Sequence, residues 1–146
     1  MSATNHYYES MGEIEAVVRG FESCATPPSD FNHCAHLTVA FSYLHLYKLS
    51  MTDATERMRA GLYRFLDHNG VDRGKYNETI TIFWIKLVRR FLEGIDTERH
   101  IADIANEMLD AFGNSQLIFE YYNKERLSTE EARAGWVEPD KKPIDF

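Results

Sequence analysis

Apolar residues recur at helical spacing along most of this chain, and nowhere do they alternate convincingly as a strand would require. Ile14, Val17, Val18 and Phe21 mark one face of a first helix from about Met11 to Phe21. The stretch "CATPPSD" then breaks the chain, because its two prolines lack N–H donors and have a fixed φ. A second helix is expected to start behind Asp30 or Asn32 as N-cap and to run to about Leu49 through "FNHCAHLTVAFSYL". "SMTD", from Ser50 to Asp53, reads as a capping box that opens a third helix with Met58, Leu62, Phe65 and Leu66 on one face. "HNG" at His68 to Gly70 ends it.

The fourth segment, "NETITIFWIKLVRRFLEG", is the most apolar, and its stripe is Asn77, Ile80, Thr81, Trp84, Val88 and Phe91. Asp96 or Thr97 is expected to cap a fifth helix whose inward face is Ile101, Ile104, Ala105, Met108 and Leu109. A last helical piece, "SQLIFEYYNKERL", precedes a short helical turn and the extended tail "WVEPDKKPIDF". Five or six helices joined by short loops predict an all-α, single-domain antiparallel helical bundle. Its core spans about residues 11–127, and the tail is 128–146.

Composition narrows the partners more than the fold. The chain has 146 residues, a common single-domain size, and a formal net charge of −7. That acidity, without any Lys/Arg-rich block, argues against nucleic acid. No run approaches the roughly 18 apolar residues of a membrane span. "MSATNHYYESMGEIE" lacks the basic and apolar regions of a signal peptide, so a cytoplasmic protein is expected. Cys24 and Cys34 are too few for a disulfide framework and are expected to stay reduced.

The second helix carries the candidate chemistry. His33, Leu37, Ala40, Leu44 and Tyr47 share one side, and His36 joins through Ala40 and Tyr43. Both histidines therefore sit at the N-terminal end of an inward stripe, where a polar side chain must be satisfied by a hydrogen bond or a metal. Asn77 occupies the same position in the fourth helix, with Glu78 beside it. If these helix ends meet, His33, His36, Asn77, Glu78 and Thr81 form one polar cluster beneath aromatic walls that include Tyr43 and Trp84.

Two chemistries fit such a cluster. In the first, His33, His36 and Glu78 hold a divalent transition metal, zinc or iron, since imidazoles three residues apart share a helix face. Glu78 could then act as third ligand or base, with Asn77 and Thr81 orienting substrate or water. In the second there is no metal, and a neutral histidine beside a carboxylate supplies acid–base catalysis. The structural alternative is that the histidines satisfy the backbone and only fix packing. His45, His68 and His100 lack partners at ligand spacing and are expected to be surface or structural. Near the C-terminus, Tyr121, Tyr122, Arg126, Arg133 and Trp136 either fasten the tail to the bundle or, through Tyr122 and Arg126, form a pocket wall for an anionic substrate. P-loop, GxGxxG, GxSxG, HExxH and CxxC motifs are all absent, which leaves nucleotide-dependent and serine-hydrolase chemistry without support.

Three blocks, "FNHCAHLTVAFSYL", "KYNETITIFWIKLV" and "ERLSTEEARAGWVEPD", resemble in order those of an uncharacterised family of small bacterial all-helical proteins. That family reads H-x-A-H-L, then K-Y-H-E-T-I-T, then A-R…E-P-D, and the match covers about residues 31–140. The resemblance implies that His33, His36, Glu78 and Thr79 are motif residues; it implies no particular reaction. This chain departs at Asn77, where the family pattern has histidine, and asparagine is a poor transition-metal ligand.

Two functions follow as expectations. One is an enzyme of small-molecule metabolism with an internal His/Asn/Glu site, with or without metal. The other is a non-catalytic small-molecule-binding or oligomerisation module. A homo-oligomer is compatible with both.

Overall fold

A computed structural model describes residues 7–146; the first six residues of the segment read above for a leader lie outside it. Among the described residues the chain is all-α, with no strand. No helix is long and apolar enough to cross a membrane. The α-helices are α1 (Met11–Glu22), α2 (His33–Phe41), α3 (Met51–His68), α4 (Glu78–Glu93), α5 (Ile101–Phe112), α6 (Lys124–Leu127) and α7 (Glu130–Ala134).

Local chemistry sets most of these boundaries. Ser10, Asn32, Ser50 and Asn77 cap α1 to α4, each accepting a backbone N–H with its side-chain oxygen. Asn32, not Asp30, fills the α2 position. The α5 start differs from expectation. Asp96 spends its carboxylate on the Glu98 N–H at 3.0 Å, and His100 Nδ1 takes the Ala102 N–H at 3.2 Å, so the helix begins at Ile101.

α2 is the core of the molecule. Ala35 and every residue from Leu37 to Phe41 are buried. A helix apolar on all sides has to be surrounded, and α2 packs against α1, α3, α4 and α5. Its buried hydroxyls are satisfied internally, Thr38 donating to the Cys34 carbonyl and Ser42 to that of Thr38, both at 2.8 Å. Beyond Phe41 the helix does not continue in α form to Leu49. It widens into a π-helical turn over Ser42–Leu46, with Tyr47 N–H bonded to the Ser42 carbonyl at 3.0 Å. Lys48, at φ 54°, then turns the chain out.

α3 approaches α1 closely at one point. A Cβ on Gly61 would stand 2.6 Å from the Phe21 ring, so only glycine lets the helices close at this distance. The segment after α5 is less regular than its pattern suggests. "SQLIFE" forms a 3₁₀ helix over Ser115–Glu120, and α6 follows only after a turn. Cys24 and Cys34 are free thiols.

The tail from Gly135 is anchored along α4. Buried Thr79 donates to the Gly135 carbonyl at 2.7 Å and accepts the Val137 N–H at 3.2 Å. Tyr122 donates to the Val137 carbonyl at 2.7 Å, and Phe146 packs edge-on against Phe83 and Tyr121.

Two substitutions test this packing. Gly61→Ala forces Phe21 or the helices to move and is expected to lower unfolding free energy by about 1–3 kcal/mol. Thr79→Val keeps shape but strands a buried N–H and a carbonyl, with an expected loss of about 2 kcal/mol and earlier proteolysis of the tail. Urea unfolding and timed digestion measure both.

Candidate functional site

Residues of the first turns of α2 and α4 border one space, a cavity of about 290 Å³ between α2, α3 and α4. Its walls are mainly apolar: Phe31, Met58, Leu62, Phe65, Ile80 and Trp84 provide most of the surface. The polar lining residues are His36 on α2 and Lys75, Tyr76, Asn77 and Thr81 around the start of α4.

His36 is the distinctive group. Its ring packs on Phe31 at 4.2 Å between centroids, and among the described residues its nitrogens make no hydrogen bond. Burial penalises the imidazolium, and the neighbouring His33 adds repulsion, so its pKa is lowered to about 4. At neutral pH it is therefore an uncharged imidazole, with one nitrogen able to donate and the other to accept.

His33 has a different role. Its Nε2 donates to the Phe112 carbonyl at 2.9 Å, tying the first turn of α2 to the last residue of α5. The ring stands edge-on to Trp84 at 4.4 Å. Burial lowers its pKa too, and the bond to Phe112 works against that shift.

Glu78 does not join the histidines. It is buried toward α3, where Arg59 grips it in a two-pronged pair at 3.0 and 2.5 Å, and the Tyr76 hydroxyl donates to the same carboxylate. Burial alone would raise its pKa; the bonds from Arg59 and Tyr76 prevail and hold it below the ordinary carboxylate range. The Tyr76 phenol is pushed up in turn, by burial and by its bond to Glu78. The ligand set His33, His36 and Glu78 is thus not assembled. His33 Nε2 is committed to a carbonyl and Glu78 to a guanidinium. Among the described residues no three His, Cys, Asp or Glu side chains form a group that could hold a metal ion.

Asn77 is held at both ends of its amide. Oδ1 accepts the Ile80 N–H at 3.0 Å as the α4 cap, and Nδ2 donates to the Leu127 carbonyl at 2.8 Å. Thr81 donates to the Asn77 carbonyl at 3.0 Å. Both residues line the cavity, Thr81 with its donor spent and Asn77 with one of its two amide N–H groups engaged.

The remaining candidates lie elsewhere. Tyr43 is fully buried but points away, donating to Glu22 at 2.5 Å beneath the Arg57 guanidinium, which itself clasps Glu22. Tyr122 and Arg126 bind the tail, Arg126 through the Glu138 carbonyl at 3.0 Å. The cavity thus brings together His36, Asn77, Thr81 and Trp84, and leaves out Glu78, Tyr43, Tyr122 and Arg126. Lys75, Tyr76 and Arg59 were not singled out by sequence. "KYNE" placed the first two beside Asn77, whereas nothing in the pattern of α3 distinguishes Arg59 from its other exposed cations.

Comparisons of the chain with protein-family models, curated proteins and solved structures give no match. The functional reading therefore rests on the cavity itself.

Stability should report the state of His36. Unfolded, it titrates near 6.5; folded, at about 4. Between those values the unfolded chain binds the extra proton. Its contribution is therefore complete above about pH 6.5 and is lost as pH falls, reaching about 3 kcal/mol by pH 4. His33 acts in the same direction. Glu22 and Glu78, with lowered pKa values, lose their contribution only below the carboxylate range, so pH 6.5 to 4.5 isolates the histidines. Urea midpoints across this window should fall for the wild type and fall clearly less for His36→Leu.

Proposed function

We propose that this protein binds a small, largely apolar molecule in the cavity between α2, α3 and α4, with neutral His36 as its hydrogen-bonding anchor. One observation carries the reading: an imidazole without a partner among the described residues sits in an apolar cavity of about 290 Å³. The half-buried imidazole lines the cavity with no protein partner, so its hydrogen-bonding capacity is available to a molecule that enters. A cavity of about 150 Å³ accepts one benzene ring, so the volume here suits a molecule of one to two rings or a short branched chain.

Binding is favoured over catalysis by the state of the same group. A general base works best with a pKa near the working pH, and burial has made His36 a weak base. Its natural carboxylate helper, Glu78, is turned to Arg59. What remains is recognition: shape from the apolar walls and one donor–acceptor pair from the imidazole.

Thermal unfolding with one-ring probes tests this. Phenol and cyclohexanol are expected to raise the Tm with dose, and toluene to do so less, since it leaves His36 unpaired. His36→Leu should erase the preference for the hydroxyl, worth about tenfold in affinity. Ile80→Trp, which fills the cavity, should abolish all three shifts. Equal shifts in wild type and Ile80→Trp would count against the site.

A further inference from the structure

The cavity has a charge character that its apolar walls obscure. None of its described lining residues is acidic, and one, Lys75, is a cation. Lys75 ends the 3₁₀ turn Arg73–Lys75 and immediately precedes Tyr76 and Asn77, so it stands at the rim, exposed. Among the described residues its ammonium has no ion pair or hydrogen-bond partner. The charged residues near it in sequence have contacts of their own. Arg73 is paired with Asp67 at 2.7 Å, Asp72 accepts the Gly74 N–H at 2.6 Å, and Glu78 is clamped by Arg59 on the far side of Tyr76.

Most other polar groups of the lining are engaged. Tyr76 donates to Glu78, Thr81 to the Asn77 carbonyl, and Asn77 one of its two amide N–H groups to Leu127. Besides the second Asn77 N–H, two groups remain uncommitted: the neutral imidazole of His36 and the ammonium of Lys75 at the rim.

We infer that the occupant is a small carboxylic acid bound as its anion, its apolar body against Phe31, Phe65 and Trp84, a hydroxyl on that body paired with His36, and its carboxylate turned outward to Lys75. The inference rests on the reading of this cavity as a ligand site. A cationic ligand would meet a like charge at the rim and no carboxylate to receive it. A neutral one would leave Lys75 unused. The carboxylate belongs at the mouth because burying it among apolar walls would cost several times what the imidazole could return. The chain's net charge of −7 repels anions at long range, so any preference for an acid has to come from this local cation.

Three ligands with the same phenolic body and different heads make the test: 3-(4-hydroxyphenyl)propanoate, its neutral amide, and 4-(3-aminopropyl)phenol. They would be titrated calorimetrically at pH 7.5 and low salt. The acid is expected to bind about fivefold tighter than the amide, the upper range for a partly exposed ion pair, and the amine weakest. Lys75→Gln should bring the acid down to the amide without changing the Tm, and Lys75→Arg should keep most of the preference. If the amide matches the acid in the wild type, or if Lys75→Gln leaves the preference intact, the acid is not the ligand class. The cavity reading survives that result as long as Ile80→Trp still abolishes binding. Absence of binding by all three ligands to wild type and Ile80→Trp alike would overturn both.

Discussion

The structure depends on the burial of α2, complete from Leu37 to Phe41. A helix without a wet face cannot lie on a bundle; the bundle has to be built around it. α1, α3, α4 and α5 all take their positions against its apolar surface, and its two hydroxyl residues avoid a penalty by bonding to carbonyls one turn back. The polar first turn is where this enclosure becomes demanding. His33 meets it by reaching the end of α5, whereas His36 has no protein partner among the described residues and borders the cavity between α2, α3 and α4.

α4 divides its neighbours by face. Toward α2 and α3 it presents Ile80, Thr81 and Trp84 to the cavity; on another side Glu78 is locked into Arg59 and Tyr76; on a third Thr79 receives the tail. Three consecutive residues, Asn77 to Thr79, thus tie α4 to α6, α3 and the Gly135–Val137 segment respectively. Each removes a buried polar group from solvent together with its partner, the condition under which such groups cost little. This explains why a polar triplet sits at the head of α4.

Fold class was legible because helical periodicity is a local property that burial reinforces. Asn32 and Ser50 were readable as caps for the same reason, whereas Asn77, read as a stripe residue, proved to be the α4 cap. What the pattern could not show was decided between helices. The π turn after Phe41 satisfies its carbonyls in a register that no residue type specifies, and the stripe from His33 to Tyr47 assumed an unbroken α-helix. Glu78 is instructive. It adjoins Asn77 in sequence, but one residue turns a helix by about 100°, enough to carry the carboxylate from the cavity to Arg59. The convergence of His36, Asn77, Thr81 and Trp84 followed from the stripes; the separation of His33 and Glu78 required knowing which neighbours their side chains would find.

The packing also divides the molecule optically. The chain has two tryptophans. Trp84 forms part of the cavity wall with an imidazole edge against its ring. Trp136 lies in the tail, its indole N–H on Glu138 and the Lys86 ammonium 5.5 Å from its ring. Indole emission responds to the polarity and charge of its immediate surroundings, so the two residues act as separate built-in chromophores, one viewing the interior and the other the docked end of the chain. Replacing either by phenylalanine leaves a protein whose native fluorescence follows a single event, filling of the core space or release of the tail, without an added label.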